Sequence, residues 1–254
     1  MFAEDEVTDD GFLGGRLRLW QPARGYRAAT DPVLLAAACP AVAGHSVLDL
    51  GCGAGAAVLC LGARVPGLAM AGLDLQPAYA DLALRNAARN GMTLQVVTGD
   101  LTQMPAVLRR GFDHVIANPP YYPRANTPSP LLDRDLALRA EVPLAGWVDA
   151  ATRRINPGGW LTLICGTDGL PEVLGALAPR MGSVAVLPLA PRVGRAALRV
   201  VLRARKGGRG AFRLLAPFVL HRGAAHDGDR DSHTDQANAV LRDGHALTAA
   251  FGRI

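Results

Sequence analysis

From Ser46 onward, short apolar runs alternate with stretches whose apolar residues recur every three or four positions. Short runs bounded by turn residues predict buried strands, and the longer periodic stretches predict helices. Val47 to Leu50 reads as a strand, Ala56 to Arg64 as a helix, Leu68 to Leu75 as a second strand, and Pro77 to Asn90 as a helix ended by Gly91. Leu94 to Thr98 and Phe112 to Ala117 follow as strands, the latter ending at Asn118. Val142 to Ile155 reads as a helix stopped by Asn156-Pro157-Gly158-Gly159, then Trp160 to Cys165 as a strand and Leu170 to Met181 as a helix. Val184 to Leu189 and Leu198 to Arg203 look like a final strand pair. Strands alternating with helices predict an α/β, doubly wound, Rossmann-like sheet of seven strands, mostly parallel with an antiparallel edge strand and both faces covered.

The flanks are less periodic. Alternation at Leu13, Leu17 and Leu19 between glycines predicts a short hairpin. Asp31-Pro32 reads as an N-cap followed by proline at the first helical position, with the helix stopping before Pro40. Ala211 to Leu220 suggests one more strand, residues 222–235 a mobile polar loop, and Gln236 to Arg242 a terminal helix. The expected organisation is an N-terminal extension over 1–45, a main domain over 46–220, and a C-terminal loop and short helix over 221–254.

Composition narrows the class. Half of the 254 residues are hydrophobic and 19% charged, enough for a sizeable core. No apolar run reaches the ~18 residues of a membrane span, and the acidic N-terminus has no secretory pattern, so a cytoplasmic protein without membrane association is expected. Cys39, Cys52, Cys60 and Cys165 form no CxxC pair; buried or loop thiols are expected rather than disulfides or zinc. The net charge is +5, and all basic residues except Lys206 are arginines. That permits a nucleic-acid partner without requiring one, because a GC-rich genome also favours arginine codons.

Val47 to Gly55 spell VLDLGCGAG, a strand running into Gly51-Cys52-Gly53-Ala54-Gly55 and then a helix. Glycines allow a tight turn and close approach of the backbone to a ligand at the carboxyl ends of the strands. The loop is GxGxG rather than the GxGxxG of dinucleotide enzymes, and Asp74 closes the next strand, where a carboxylate can take ribose hydroxyls. The stretch resembles the first motif, (V/L)(L/V)D(L/I)GCGxG, of the class I S-adenosylmethionine-dependent methyltransferases. That resemblance implies S-adenosyl-L-methionine as cofactor. It places Gly51, Cys52, Gly53 and Gly55 around the methionine part, Asp49 ordering the loop and holding the amino group, and Asp74 with Leu75 at the ribose. Asp100, in Thr98-Gly99-Asp100-Leu101, is implied at the adenine amino group with Leu101 packed nearby; read by itself, Asp100 is as well a helix N-cap.

Asn118-Pro119-Pro120-Tyr121 follows the fourth strand, at the same edge as the glycine loop. A planar exocyclic amine or an amide has its lone pair delocalised. Two acceptors, the Asn118 side-chain oxygen and the Pro119 carbonyl, can bind its two N–H groups and aim the lone pair at an electrophilic methyl. The prolines stiffen the turn, and Tyr121 offers a stacking face for a flipped base. NPPY resembles the (D/N/S)PP(Y/F/W) motif of adenine-N6, guanine-N2 and glutamine-N5 methyltransferases. Only 46 residues precede Val47, so neither the helical domain of the glutamine enzymes nor the additional domain of the small-subunit rRNA guanine enzymes is expected.

The chain is most similar to the compact bacterial tRNA adenine-N6 methyltransferases, acting at adenine 37 of a valine tRNA. Gly25-Tyr26-Arg27 and Thr30-Asp31-Pro32-Val33-Leu34-Leu35 resemble that family's G(Y/F)R…TDxxLL element. The resemblance implies RNA, and tRNA in particular, as partner; the sequence does not fix the oligomeric state, and a monomer is favoured. Tyr26, Arg27 and Asp31 are candidates for a lid over cofactor or base, against the alternative of a capped helix packed on the sheet. Arg24, Arg124, Arg195, Arg203, Arg205 and Lys206 are candidate phosphate contacts, against the alternative of a solvated face. Tyr122 is either a second stacking group or core. Asp227, Asp229 and Asp231 imitate a calcium loop, but Ser232 replaces the required glycine and Asn238 the bidentate glutamate. His221, His226, His233 and His245 have no metal spacing, so no metal is expected. The rivals are an rRNA guanine-N2 or adenine-N6 or protein glutamine-N5 methyltransferase and, outside enzymes, a cofactor-binding RNA chaperone.

Overall fold

The computed structural model describes residues 1–120, 142–178, 180–223 and 232–252. An antiparallel hairpin of β1 (Val7–Phe12) and β2 (Leu17–Pro22) precedes α1 (Asp31–Ala38). The main unit follows as β3 (Ser46–Leu50), α2 (Ala56–Arg64), β4 (Ala69–Asp74), α3 (Pro77–Arg89), β5 (Leu94–Thr98) and β6 (Phe112–Ala117). It continues with α4 (Leu144–Arg154), β7 (Ile155–Gly166), α5 (Leu170–Leu177), β8 (Met181–Ala190) and β9 (Arg199–Lys206). Two-residue strands β10 (Arg213–Leu214) and β11 (Phe218–Val219), then α6 (Asp235–Leu241) and α7 (Thr248–Phe251), complete the described chain.

Among the described residues the sheet has nine strands rather than seven, in the order β10-β8-β9-β7-β6-β3-β4-β5, with β11 also on β8. The two additional strands come from 211–220, expected as one strand. Pro217 interrupts it, since proline has no N–H for the ladder, and two short pieces run along the outer side of β8. All pairings are parallel except those of β9, which lies between β7 and β8 rather than at the edge.

Two boundaries differ from expectation. Asn156 to Gly159 do not form a loop but a bulge within β7, where pairing jumps from Phe112↔Ile155 to His114↔Trp160. Gly158 takes φ 79°, and Asn156 Nδ2 donates to Asp113 at 3.2 Å, so both turn residues serve the bulge. Asp31 is not an N-cap but the first residue of α1, and its carboxylate pairs with Arg199 instead.

Strand alternation divides the core into two layers. Val47, Ile116, Ile164 and Val201 face α1 and α2; Leu48, Leu50, Val115 and Leu163 face α4. The strands at the centre are therefore apolar on both faces, as a sheet covered by helices requires. β3 lies between β4 and β6, and the chain passes to opposite sides of it before and after. Register aligns the carboxyl ends: Leu50 lies opposite Leu73 and Ala117, and Asp74 opposite Thr98. Gly51, Leu75, Gly99 and Asn118 consequently leave the sheet side by side at a topological switch, where such folds bind ligands.

Candidate active site

The loop after β3 is held from three directions. The backbone N–H groups of Gly51 and Cys52 donate to the Leu73 carbonyl at 2.7 and 3.0 Å, fastening the turn to β4. Gly53 N–H donates to Asp74 Oδ2 at 2.7 Å. Asn86, fully buried on α3, donates to the carbonyls of Ala54 and Trp20, both at 2.9 Å, and so ties loop, helix and N-terminal hairpin together. Gly51 has φ 67°, and a Cβ there would stand 2.5 Å from the Trp147 ring of α4. Glycine is required on both counts. Gly55, at φ 85°, is the left-handed residue before α2.

A cavity of about 370 Å³ opens over this loop. That is within the range of small-molecule sites, roughly 300–1,000 Å³. Asp49, Gly51, Cys52, Asp74, Leu75, Asp100, Leu101, Asn118, Pro119 and Pro120 line it, as do Tyr26, Arg27 and Asp31. Most of the expected cofactor residues, with Asn118, Pro119 and Pro120 of the amine-binding motif, are thus brought to one cavity. Gly53 and Gly55 are not on its wall and act on the backbone behind it. Tyr121, Tyr122 and Arg124 lie outside the described residues, as do the calcium-like aspartates and His226.

Asp49 is 2% exposed, and burial pushes its carboxyl up to about 8, opposed by the Val58 backbone N–H and assisted by the neighbouring Asp74 charge. Its Oδ2 has no hydrogen-bond partner within the described protein. A buried carboxyl oxygen that lacks a donor fits an ammonium group, which would satisfy it and favour the charged form. Asp74 uses Oδ2 on Gly53 and Oδ1 on the Gln76 N–H at 3.0 Å; it shapes the loop besides facing the cavity. Leu75, 46% exposed, supplies an apolar patch on the cavity wall. Asp100 Oδ1 accepts from Thr102 N–H at 2.7 Å as an N-cap, and the residue also lines the cavity. This set fits S-adenosylmethionine: an acidic partner for its amino group, a glycine turn beneath its chain, and a carboxylate and apolar patch beyond β4 and β5.

At the acceptor end, Asn118 Nδ2 donates to the Tyr26 hydroxyl at 3.2 Å. Arg27 is drawn away to Asp10, 2.7 Å distant in β1. Arg199, at the start of β9, reaches the cavity and pairs with Asp31 there.

The basic strand and turn are placed differently from expectation. Arg203 is 2% exposed: its Nε donates to the Ala38 carbonyl, and its guanidinium lies 3.8 Å from the Phe251 ring centroid. It caps the carboxyl end of α1 and is not available to a phosphate. Burial lowers its pKa to about 10. Lys206 Nζ donates to the carbonyls of Thr152 and Ile155 at 2.8 and 2.7 Å, and Arg205 Nε to that of Gly158 at 3.0 Å. Because β9 runs antiparallel, with Arg205 opposite Trp160 and Arg199 opposite Gly166, this turn lies at the edge of the sheet away from the cavity. Arg24 and Arg195 are exposed: Arg24 precedes the cavity-lining Gly25, and Arg195 lies in the loop joining β8 to β9 at the cavity edge.

Asn86, Trp147 and Arg199 were missed in the sequence. Asn86 had a signal, since it interrupts the apolar stripe Tyr79, Leu82, Ala83, Ala87 on α3. Trp147 and Arg199 reach the site only through tertiary packing.

Fold and loop together define a class I methyltransferase core. The chain belongs to the methyltransferase small domain family, whose profile matches residues 29–168. A release factor glutamine methyltransferase of Geobacter sulfurreducens is 31% identical over 140 residues, 51% of this chain and 48% of that protein. A tRNA1(Val) (adenine(37)-N6)-methyltransferase of Porphyromonas gingivalis is 30% identical over 157 residues, 58% of this chain and 61% of that one. The chain thus spans about half to three fifths of these two curated relatives. Among solved structures, one described as a predicted O-methyltransferase of Agrobacterium tumefaciens superposes with a TM-score of 0.68 at 25% identity, covering 85% of this chain and 97% of that one.

Proposed function

We propose that the protein transfers a methyl group from S-adenosyl-L-methionine to the exocyclic N6 amine of an adenine in tRNA, with the anticodon-loop adenine 37 as the favoured target. The observation that carries this reading is the meeting of Asn118, Pro119 and Pro120 with the Asp49–Gly51 loop on one cavity wall. Family membership supports methyl transfer. The tRNA-methylating relatives support the acceptor, and the glutamine-methylating ones support a second reading in which the acceptor is a protein amide.

When bound, the cofactor supplies an electrophilic methyl on a sulfonium sulfur. The residues of this chain supply position and charge. Asp49 would hold the ammonium, Asp74 the ribose hydroxyls and Asp100 the adenine amino group, with the glycine turn keeping the backbone close. Asn118 Oδ1 and the Pro119 carbonyl accept the two N–H groups of the target amine. They hold its lone pair toward the methyl and stabilise the positive charge that develops on nitrogen. No general base is needed, because the proton leaves after transfer. An amine and a primary amide present the same pair of N–H groups, which is why one constellation suits both acceptors.

Methyl transfer from labelled cofactor to unmodified total tRNA, followed by nucleoside analysis, tests the reading. N6-methyladenosine is expected, and the Asn118→Ala variant should lose roughly 10²–10³ in kcat with cofactor affinity unchanged. Label in release factor and none in tRNA would replace adenine by glutamine; label in neither would sink both.

A further inference from the structure

One edge of β2 pairs with β1, and a helix holds the other. Four helical residues rise about 6 Å and two strand residues about 6.6 Å, so side chains one turn apart on a helix can meet alternate residues of a strand. Asn86 of α3 and Asn90, just past its end, do so. The Trp20 N–H donates to Asn86 Oδ1 at 2.7 Å and the Arg18 N–H to Asn90 Oδ1 at 3.0 Å. Each amide nitrogen donates back to the carbonyl of the same residue, at 2.9 and 2.8 Å. A backbone N–H only donates and a carbonyl only accepts, so the orientation of both amides is determined. The Trp20 ring also lies against Arg85 and Arg89 of α3, whose guanidinium carbons are 5.0 and 4.6 Å from its centroid.

The two clasps differ in their third bond. Asn90 Nδ2 donates to the Asn86 backbone carbonyl of its own helix at 2.8 Å, whereas Asn86 Nδ2 donates to the Ala54 carbonyl in the glycine loop at 2.9 Å. Ala54 lines the cavity, and across its peptide the Gly55 N–H donates to the Cys52 carbonyl at 2.8 Å. That peptide is therefore held at both ends. Ala54 and Asn86 are both buried, so a carbonyl deprived of Asn86 would have little water to turn to, and the loop would have to shift to satisfy it.

We infer that Asn86 is a positioning residue for the cofactor: its amide, set by Trp20 of the hairpin, fixes the Ala54–Gly55 peptide in the shape that receives S-adenosylmethionine, so the N-terminal hairpin is part of a cofactor site otherwise built on the sheet. This rests on the cofactor half of the proposed function and is indifferent to the acceptor. Because coupling between two sites is reciprocal, a ligand that settles the loop must in turn hold Asn86 and Trp20 more firmly.

Asn90 is the built-in control, since its clasp on β2 is the same and only the bond to the loop is missing. Binding of S-adenosylhomocysteine, the demethylated cofactor, should be measured by calorimetry on the full chain. Asn86→Ala should weaken it roughly tenfold, and Asn90→Ala less than about twofold. Equal weakening by the two would overturn the inference, because loss of the hairpin clasp would then suffice; so would unchanged affinity in Asn86→Ala. A second readout needs no variant and decides the matter even if Asn86→Ala does not fold. In hydrogen exchange followed by NMR on the wild-type protein, saturating S-adenosylhomocysteine should slow the Trp20 N–H at least about fivefold and the Arg18 N–H less than about twofold. Equal changes at the two positions, or none, would overturn the inference. Wild-type protein that binds no S-adenosylhomocysteine would overturn it together with the cofactor assignment, whereas protein that binds it but labels neither tRNA nor release factor loses only the acceptor reading.

Discussion

Asp49 is the residue whose chemistry is most altered by the fold. A carboxyl ordinarily titrating near 3.9 is raised to about 8 by burial, so the ligand-free protein holds it protonated at neutral pH. The sign follows from linkage. The folded state binds a proton that the unfolded chain has released, so this stabilisation is complete at low pH and is lost as pH rises toward 8. His114 acts the other way: buried and neutral, with its pKa lowered to about 4, it adds stability as pH rises through about 4 to 6.5. Between about pH 6.5 and 8 the Asp49 contribution stands clear of it. Thermal unfolding without ligand should therefore show a Tm that falls with pH across that window, and Asp49→Asn should flatten the fall. S-adenosylmethionine should also flatten it, since an ammonium beside Asp49 favours the carboxylate. A slope unchanged in Asp49→Asn would remove Asp49 from this role.

Among the elements, Lys206 is the side chain whose role moved furthest from expectation. It bonds the last turn of α4 and the first residue of β7, so it fastens the element bearing Trp147 to the sheet. Lys206→Met should lower Tm by several degrees, for removal of a charged hydrogen bond worth roughly 1.5–3 kcal/mol at about 2–4 °C per kcal/mol. Because the side chain is only part-buried, the low end is expected. Methyl transfer below the transition should be retained, and a selective loss of RNA binding at unchanged Tm would restore the phosphate role. The order of strands and helices through β3–α2–β4–α3–β5–β6 was legible because each apolar run carries its own period and terminator, and the cofactor wall was legible because its residues sit at those terminators. Asn156 to Gly159 misled because a loop and a bulge both use glycine at positive φ, and local chemistry does not separate them. Arg203 misled because the α1 carbonyl that binds it comes from 165 positions away. Tyr26 stood out in the sequence, but its contact with Asn118 arises only once the hairpin docks.

At the scale of the molecule, the sheet separates two kinds of basic residue. Arg205 and Lys206 lie at the edge away from the cavity and bind backbone carbonyls; Arg24 and Arg195 are exposed toward the cavity edge. With a net charge of +5, the chain will attract RNA nonspecifically, so affinity at one salt concentration cannot tell the edges apart. The salt dependence can. If tRNA is the partner and its anticodon loop enters the cavity, phosphates run past Arg24 and Arg195. Replacing each with glutamine should weaken binding and reduce the slope of log K against log salt by roughly 0.7–0.9 for each phosphate no longer neutralised. Arg205→Gln should leave the slope unchanged. The reverse pattern, a slope reduced by Arg205→Gln and kept by the other two, would place the RNA on the far edge. An RNA bound there could not present an adenine to Asn118, and the protein-amide acceptor would become the better reading.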